Sequence, residues 1–154
     1  MLVCGKVLLI GATVFLLLRF VVAVRICRST DMYPTIKDGD LVVVQRTHDV
    51  TFDDVVLYVA DGKEHLGRVV SVAGERVAIE NDSGLWVEDS LVYNTLPYPT
   101  TVKDESVYPL TVGEGEVFVL GDLRNQCEDS RDFGPIAKNQ VIGKQIYLMR
   151  WRGF

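Results

Sequence analysis

Three short motif segments of the 154-residue chain, residues 29–40, 66–75 and 118–134, hold most of the side chains that could do chemistry. Ser29 and Asp31 place a hydroxyl and a carboxylate in the first segment, and Asp129 places a carboxylate in the last. Two carboxylates can act as general acid and general base when they lie close enough to share a proton. Asp31 would therefore need a second carboxylate close by in the fold to cleave a bond in that way.

The cysteines and histidines predict neither a metal site nor a cofactor. Cys4, Cys27 and Cys127 are an odd number with no Cys-x-x-Cys spacing, and His48 and His65 stand singly. Structural zinc sites need four such ligands, and phosphate-binding loops need a glycine-rich run that this sequence lacks. A Cys27–Cys127 disulfide is conceivable, but separate free thiols are the simpler interpretation. We therefore expect no cofactor and no metal.

A long apolar segment precedes these groups. Residues 7–24 are nearly all apolar and contain one charge, Arg19, which lies near the end of the segment, where its side chain can reach a headgroup layer. A bilayer core needs about 20 apolar residues in a helix. A cleaved signal peptide would need small residues at its cleavage site, but residues 21–25 are Val-Val-Ala-Val-Arg. The sequence therefore predicts an uncleaved, single-pass membrane anchor over residues 1–28.

The charge changes sign after the anchor. Residues 29–154 contain 12 basic and 21 acidic residues, a net charge of −9. Since such a domain repels phosphate backbones, we expect no nucleic-acid partner. Basic residues flank both ends of the apolar segment, so their distribution does not fix the orientation of the anchor.

Short strand-like segments separated by turns fill residues 29–154. The predicted strands are 41–44, 55–60, 66–73, 76–80, 85–88, 117–120 and 141–151, with a hairpin turn at 81–84. Residues 89–111 contain Pro97, Pro99 and Pro109 without a regular period, which predicts a long loop or mobile flap. The predicted fold class is mainly β, with antiparallel sheets after one N-terminal transmembrane helix. Exposed strand edges can pair with a second copy of the chain, so a homodimer is compatible with the sequence.

The three chemistry-bearing segments resemble the sequence boxes of the type I signal peptidases. Residues 29–36 (Ser-Thr-Asp-Met-Tyr-Pro-Thr-Ile) with Asp38-Gly39-Asp40 resemble the Ser-x-Ser-Met-x-Pro-Thr-Leu…Gly-Asp box. Residues 66–75 contain Leu-Gly-Arg-Val-Val and Ala-Gly-Glu, which are similar to the Lys-Arg-Val-x-Gly-x-x-Gly-Asp box. Residues 118–134 are similar to the Gly-Asp-Asn-Arg…Ser-x-Asp-Ser-Arg-x-x-Gly box. The order of the boxes after one apolar segment resembles the compact Gram-positive type.

The resemblance implies a signal-peptidase-like β domain with its scaffold residues retained. It gives a structural role to Gly39, Asp40, Arg68, Gly121, Asp122, Arg124, Asp129, Ser130, Arg131 and Gly134. It also implies that Asp129 pairs with Arg131. Such a pair would make Asp129 unavailable as the second carboxylate for Asp31.

The same resemblance implies a serine nucleophile and a lysine base. Asp31 stands at the position of the serine and Gly67 at the position of the lysine, while Cys127 and Leu123 replace residues beside the reaction centre. Ser29 lies two residues before Asp31, about 6–7 Å along an extended chain, which is too far for it to substitute as nucleophile. On this resemblance we expect an inactive serine peptidase homologue, with Asp31 and Gly67 as vestigial positions, rather than an enzyme.

The resemblance further implies a groove for an extended peptide, held by main-chain hydrogen bonds. The candidate lining residues are Ser29, Asp31, Met32, Pro34 and Cys127. Inactive relatives of this type are similar to accessories or chaperones of sortase-dependent pilus assembly. The resemblance thus predicts that role at the extracellular face of the cell membrane, with pilin subunits and a sortase as partners. The alternatives are an atypical active membrane signal peptidase and a signal-peptide-binding subunit of an active paralogue.

Overall fold

The computed structural model describes residues 2–80, 84–92, 98–103 and 107–150. Helix α1 spans Leu2–Val21, and a four-residue helix, α2, spans Ser130–Phe133. The strands are β1 (Val22–Ile26), β2 (Leu41–Gln45), β3 (Val55–Ala60), β4 (Lys63–Val72), β5 (Arg76–Glu80), β6 (Gly84–Val87), β7 (Ser90–Leu91), β8 (Leu110–Thr111), β9 (Glu116–Leu120), β10 (Ile136–Ala137) and β11 (Val141–Met149). A 3-10 turn at Lys138–Gln140 leads into β11.

The larger sheet has seven antiparallel strands in the order β1-β2-β11-β3-β4-β9-β10. Strand β4 pairs with β3 on one side and with β9 on the other, which brings two of the three motif segments together. Strand β11 pairs with β3 at its start and with β2 at its end, and its register shifts in both pairings. Such bulges bend a strand and increase its twist, so β11 can follow both neighbours.

The smaller sheet has four antiparallel strands in the order β7-β6-β5-β8. Its buried residues, among them Val77 and Val87, pack against Val70, Phe118 and Leu120 of the larger sheet. Successive side chains of a strand face opposite ways. Strands β4 and β9 therefore also supply Val69 and Val119 to a second core on the other face, and both strands are held from two sides.

The prediction of a mainly β, antiparallel domain is confirmed, although several boundaries differ. Strand β4 begins three residues earlier than expected, at Lys63, and β11 ends at Met149. The short helix α2 was not expected, because four residues show no helical period. Residues 81–83 of the predicted hairpin turn lie outside the described residues.

The apolar segment divides into a helix and a strand. Helix α1 ends at Val21, and Val22–Ile26, which the sequence placed inside the anchor, pair with β2 at the edge of the larger sheet. Within the described part of the chain, no helix combines the length and the apolarity that crossing a membrane requires. The predicted boundary after residue 28 stays a prediction.

The segment predicted as a loop over residues 89–111 contains two short strands, β7 and β8. Residues 98–103 pack on the third motif segment, where the Arg124 guanidinium donates to Thr100 Oγ1 at 2.7 Å and Arg131 donates to the Thr101 carbonyl at 3.2 Å. The described middle of this segment is therefore bonded to the domain. Residues 93–97 and 104–106, and Pro97 with them, lie outside the described residues.

Candidate active site

The backbone around Asp31 is bonded directly to the third motif segment. The amide of Leu123 donates to the Asp31 carbonyl at 2.8 Å. A Cβ atom at Gly121 would lie 2.8 Å from the same carbonyl and 2.5 Å from Cys127 Sγ. Only glycine permits so close an approach, which explains the requirement for this residue after β9. The first and third segments thus meet at Gly121.

The turn that carries Asp31 is fixed by its own buried side chains and by Asp40. Met32 and Ile36 are fully buried in the core beneath β1 and β2. The Asp40 carboxylate accepts from the Lys37 amide at 3.0 Å, and the Asp40 carbonyl accepts from the Cys27 amide at 2.8 Å. Gly39 has a φ of 86°, a conformation that favours glycine. Pro34 follows a cis peptide bond in the same turn.

The Asp31 side chain is half-buried and uncommitted. Its carboxylate forms no hydrogen bond or ion pair with any residue in the described ranges. Ser29, also half-buried, uses its carbonyl to accept from the Cys27 thiol at 3.3 Å. Burial raises the pKa of that thiol, so Cys27 stays protonated at neutral pH. The Asp31 carboxylate therefore has no partner among the described residues and is available to a bound peptide or water.

A buried ion pair organises the third segment. Arg131 Nε and Nη2 donate to the two carboxylate oxygens of Asp129 at 2.9 and 2.8 Å, and the two side chains are 0% and 1% exposed. The same carboxylate accepts from the amides of Gly121 and Arg131 and from the Cys127 thiol. Burial opposes ionisation, but the bonds from Arg131 outweigh it and hold the pKa of Asp129 below its ordinary value. The predicted pairing of Asp129 with Arg131 is present.

The Asp129–Arg131 pair also determines whether Asp129 and Asp31 can share a proton. Asp129 is ionised and fully bonded, so it does not supply a shared proton to Asp31 in the manner of an aspartic peptidase. Cys127 donates to Asp129 at 3.1 Å, and burial, with the Asp129 charge next, raises its pKa to about 12. A thiol in that state is a poor nucleophile at neutral pH.

The remaining scaffold residues have partners that fix neighbouring strands. Arg68 forms a two-pronged pair with the buried Asp122 at 3.0 and 2.8 Å and reaches Asp53 at 2.9 Å. Ser130 Oγ accepts from the Val119 amide at 2.9 Å, and Gly134 ends α2 with a φ of 76°. These contacts join β4, β9 and α2 into one frame around the site.

Arg124 lies beneath the 98–103 segment. Its side chain is buried, and burial lowers its pKa to about 10. Lys103 of the same segment donates to the Cys127 carbonyl at 2.8 Å and pairs with Asp132. Sequence reasoning missed Thr100 and Lys103, because residues without a regular period carry no signal for long-range contacts.

Gly67 lies where a side chain would have no room. A Cβ atom there would be 2.5 Å from Val119 Cγ1 and 3.3 Å from Tyr58 Cε1. The Tyr58 hydroxyl is fully buried and has no hydrogen-bond partner among the described residues. Burial, and then the charge of Asp129, raise its pKa, so the hydroxyl stays protonated. Tyr58 was also missed, since its proximity to Gly67 depends on the register of β3 and β4.

The site contains free thiols and no grouping suited to a metal. Cys27 and Cys127 are both buried and unpaired, which agrees with the simpler interpretation of the cysteines. Over the described ranges, no three His, Cys, Asp or Glu side chains are close enough to hold a metal ion. The expectation that the protein needs no cofactor stays a prediction.

Comparison with known proteins identifies the family. Residues 2–151 match the family model described as signal peptidase, peptidase S26. Signal peptidase I of Bacillus caldolyticus is 32% identical over 142 residues, which cover 81% of this chain and 78% of that protein. Signal peptidase IB of Staphylococcus aureus is 32% identical over 151 residues, which cover 84% and 78% of the two chains. The chain belongs to the S26 signal peptidase family.

A solved structure supports the same fold. The crystal structure of a signal peptidase I from Enterococcus faecalis V583 is similar with a TM-score of 0.53 at 24% identity, and the match covers 62% of this chain and 96% of that chain. At this identity the likeness shows the fold alone. The predicted signal-peptidase-like domain is confirmed by it.

The prediction that the chain is not an enzyme is contradicted by these comparisons. The relatives that it matches over more than three quarters of their length are named signal peptidase I or signal peptidase IB. The prediction inferred lost activity from four departures from the family's sequence boxes, at Asp31, Gly67, Leu123 and Cys127. No contact in the described structure shows that these positions once held reacting groups.

Breaking the buried ion pair should strongly destabilise the domain. Arg131→Gln leaves the Asp129 carboxylate buried without its cation, and we expect a loss of about 3–5 kcal/mol in the free energy of unfolding. Arg76→Gln is the matched control, because Arg76 lies 3.8 Å from Asp89 in an exposed pair, and it should cost less than about 1 kcal/mol. Urea unfolding of both variants measures the difference, and equal losses would contradict the assigned role.

The contribution of the Asp129–Arg131 pair to the free energy of unfolding depends on pH. Because the pKa of folded Asp129 is lowered, its contribution is complete above the unfolded aspartate pKa of about 3.9. That contribution is lost as the pH falls through the lower folded value. The Arg131→Gln variant should therefore lose less stability than the native protein between neutral pH and acid.

The close contact between Gly67 and Val119 predicts that substitutions at these two positions affect stability non-additively. Gly67→Ala should cost about 1–3 kcal/mol, because the new methyl group would overlap Val119. Val119→Ala removes the overlapping atom but leaves a cavity in the native protein. In the double variant each change relieves the other, so the measured loss should be smaller than the sum of the two by at least about 0.5 kcal/mol. Additive losses in thermal or urea unfolding would show that the space is not limiting.

Proposed function

We propose that this member of the signal peptidase family is an atypical, active peptidase that cleaves exported precursors beside Asp31. Family membership and relatives named signal peptidase I support hydrolysis of a peptide bond. The observation that carries the proposal is the Asp31 carboxylate, half-buried and uncommitted, on a backbone bonded to the third motif segment. A positioned but free carboxylate is the state that a general base requires.

The proposed reaction uses water and one carboxylate. Asp31 accepts a proton from a water molecule, and the resulting hydroxide adds to the carbonyl carbon of the scissile peptide bond. The C–N bond then breaks, and Asp31 returns the proton to the leaving amine. One water is consumed and one carboxyl and one amino terminus are formed, so the carboxylate is regenerated.

Three other side chains near the site carry groups that could act as a base, and each is buried or engaged elsewhere. The Cys127 thiol and the Tyr58 hydroxyl are buried and stay protonated at neutral pH. The Lys103 ammonium donates to the Cys127 carbonyl and pairs with Asp132, so it is engaged in contacts within the domain. None of these three is free to act as a base in the ground state, whereas Asp31 is.

We place the activity at the cell membrane, with the β domain on the extracellular face. Membrane anchoring is a property of the family, and the large apolar side chains of α1 at residues 7–10, 14–16, 18, 20 and 21 are exposed. Pilin subunits and a sortase remain the proposed partners, with pilins as exported substrates. That part of the proposal is supported by the sequence resemblance alone.

Cleavage of exported precursors from the same cell tests the proposed function. The full chain in neutral detergent should convert a precursor to one shorter product, and Asp31→Asn should slow this by at least about 100-fold, the usual contribution of a general base. Asp38→Asn is the matched control, because Asp38 is an exposed carboxylate in the same turn, and its rate should stay within about twofold. Failure of the native protein to cleave any precursor, or an unchanged rate in Asp31→Asn, would reject the proposal.

A further inference from the structure

A basic groove lies where α1 meets the larger sheet, on the opposite flank of β2 from β11. Its lining includes Arg19, Arg25 and Arg46, with the apolar side chains of Phe20 and Val24 between them, and it encloses about 560 Å³. That volume is within the range of sites that hold small organic ligands. None of these residues belongs to the three motif segments.

The walls of the groove are fixed by the fold. The Arg46 amide donates to the Val21 carbonyl at 2.8 Å, which ties the end of β2 to the end of α1. Strand β1 pairs with β2 over its full length. Arg25 is held by Glu64, whose two carboxylate oxygens accept from it at 2.8 and 3.0 Å. The three arginines therefore line the groove from three separate parts of the chain, namely α1, β1 and the end of β2.

Two of the three arginines form no close ion pair with the described residues. No carboxylate in those ranges lies within ion-pair distance of Arg19 or Arg46, whereas Glu64 pairs directly with Arg25 and acts on Arg46 only from a greater distance. This positive site stands out on a chain whose residues 29–154 carry a net charge of −9. Such a concentration of arginine favours a ligand with a phosphate or carboxylate group.

Exposed apolar side chains extend from the groove along α1. Leu8, Phe15 and Phe20 of α1 are 74%, 67% and 73% exposed, and Val24 of β1 is 53% exposed. An apolar surface of this extent marks a contact with a membrane or a partner. The arginines lie at the end of α1 that adjoins the folded domain, where a headgroup layer would separate acyl chains from water.

We propose that this groove binds the headgroup of an anionic phospholipid, with the phosphate between Arg19 and Arg46 and the acyl chains along α1. A lipid of this class matches both halves of the surface, since it joins an anionic group to long apolar chains. Free phosphate would use the arginines alone, and a neutral lipid would use the apolar surface alone. The bound headgroup would fix the height of the β domain above the membrane and does not depend on the proposed cleavage at Asp31.

Titration of the full chain with short-chain lipids tests this proposal. The protein is held in a neutral detergent, and binding of dihexanoylphosphatidylglycerol, dihexanoylphosphatidylcholine and inorganic phosphate is followed by calorimetry. We expect the anionic lipid to bind at least about tenfold more tightly than the other two. Arg19→Gln and Arg46→Gln should each weaken its binding about fivefold.

Arg76→Gln is the control, because it removes an exposed arginine from the smaller sheet, and it should leave lipid binding unchanged. The melting temperature of each variant without lipid confirms that it is folded. Equal affinity for the anionic and the neutral lipid would overturn the proposal, as would unchanged binding in both groove variants. Inorganic phosphate binding as tightly as the anionic lipid would assign the groove to free phosphate instead.

Discussion

The buried ion pair between Asp129 and Arg131 is the interaction on which the rest of the site depends. Its carboxylate accepts bonds from the end of β9, from the first turn of α2 and from Cys127, while Arg131 reaches the 98–103 segment. Four parts of the chain are thereby joined at one point: the end of β9, the loop at Cys127, α2 and the 98–103 segment. A charge so deeply buried is stable only with all these partners present, so the elements form together or not at all.

The contrast between the two acidic residues of the site follows from this arrangement. Asp129 is enclosed and saturated with donors, so its charge supports the structure. Asp31 is half-buried and has no such donors among the described residues, although its carbonyl accepts from the Leu123 amide at 2.8 Å. The Asp129 carboxylate thus stabilises the segments that position the Asp31 carboxylate. A site on a rigid frame with one uncommitted group is suited to act on a bound peptide.

Much of this arrangement was predictable from local sequence. Turn residues and β-branched runs predicted the antiparallel strands, and the resemblance of the third segment to a family box implied the pairing of Asp129 with Arg131. Strand β1 was missed because Val22–Ile26 continues the apolar run of α1 without a change in composition. The neighbours of Gly67 were missed for another reason. Tyr58 and Val119 reach it only through the register of three strands, which a single sequence does not specify.

Amide hydrogen exchange tests most directly whether the ion pair holds Asp31 in place. The informative amides are those of Gly121 and Arg131, which donate to Asp129, and that of Leu123, which donates to the Asp31 carbonyl. Our account predicts that all three exchange with the same opening free energy, as one cooperative unit, and that Arg131→Gln lowers their protection together. Rapid exchange at Leu123 while Gly121 and Arg131 stay protected would contradict it, because Asp31 would then be positioned independently of the buried pair.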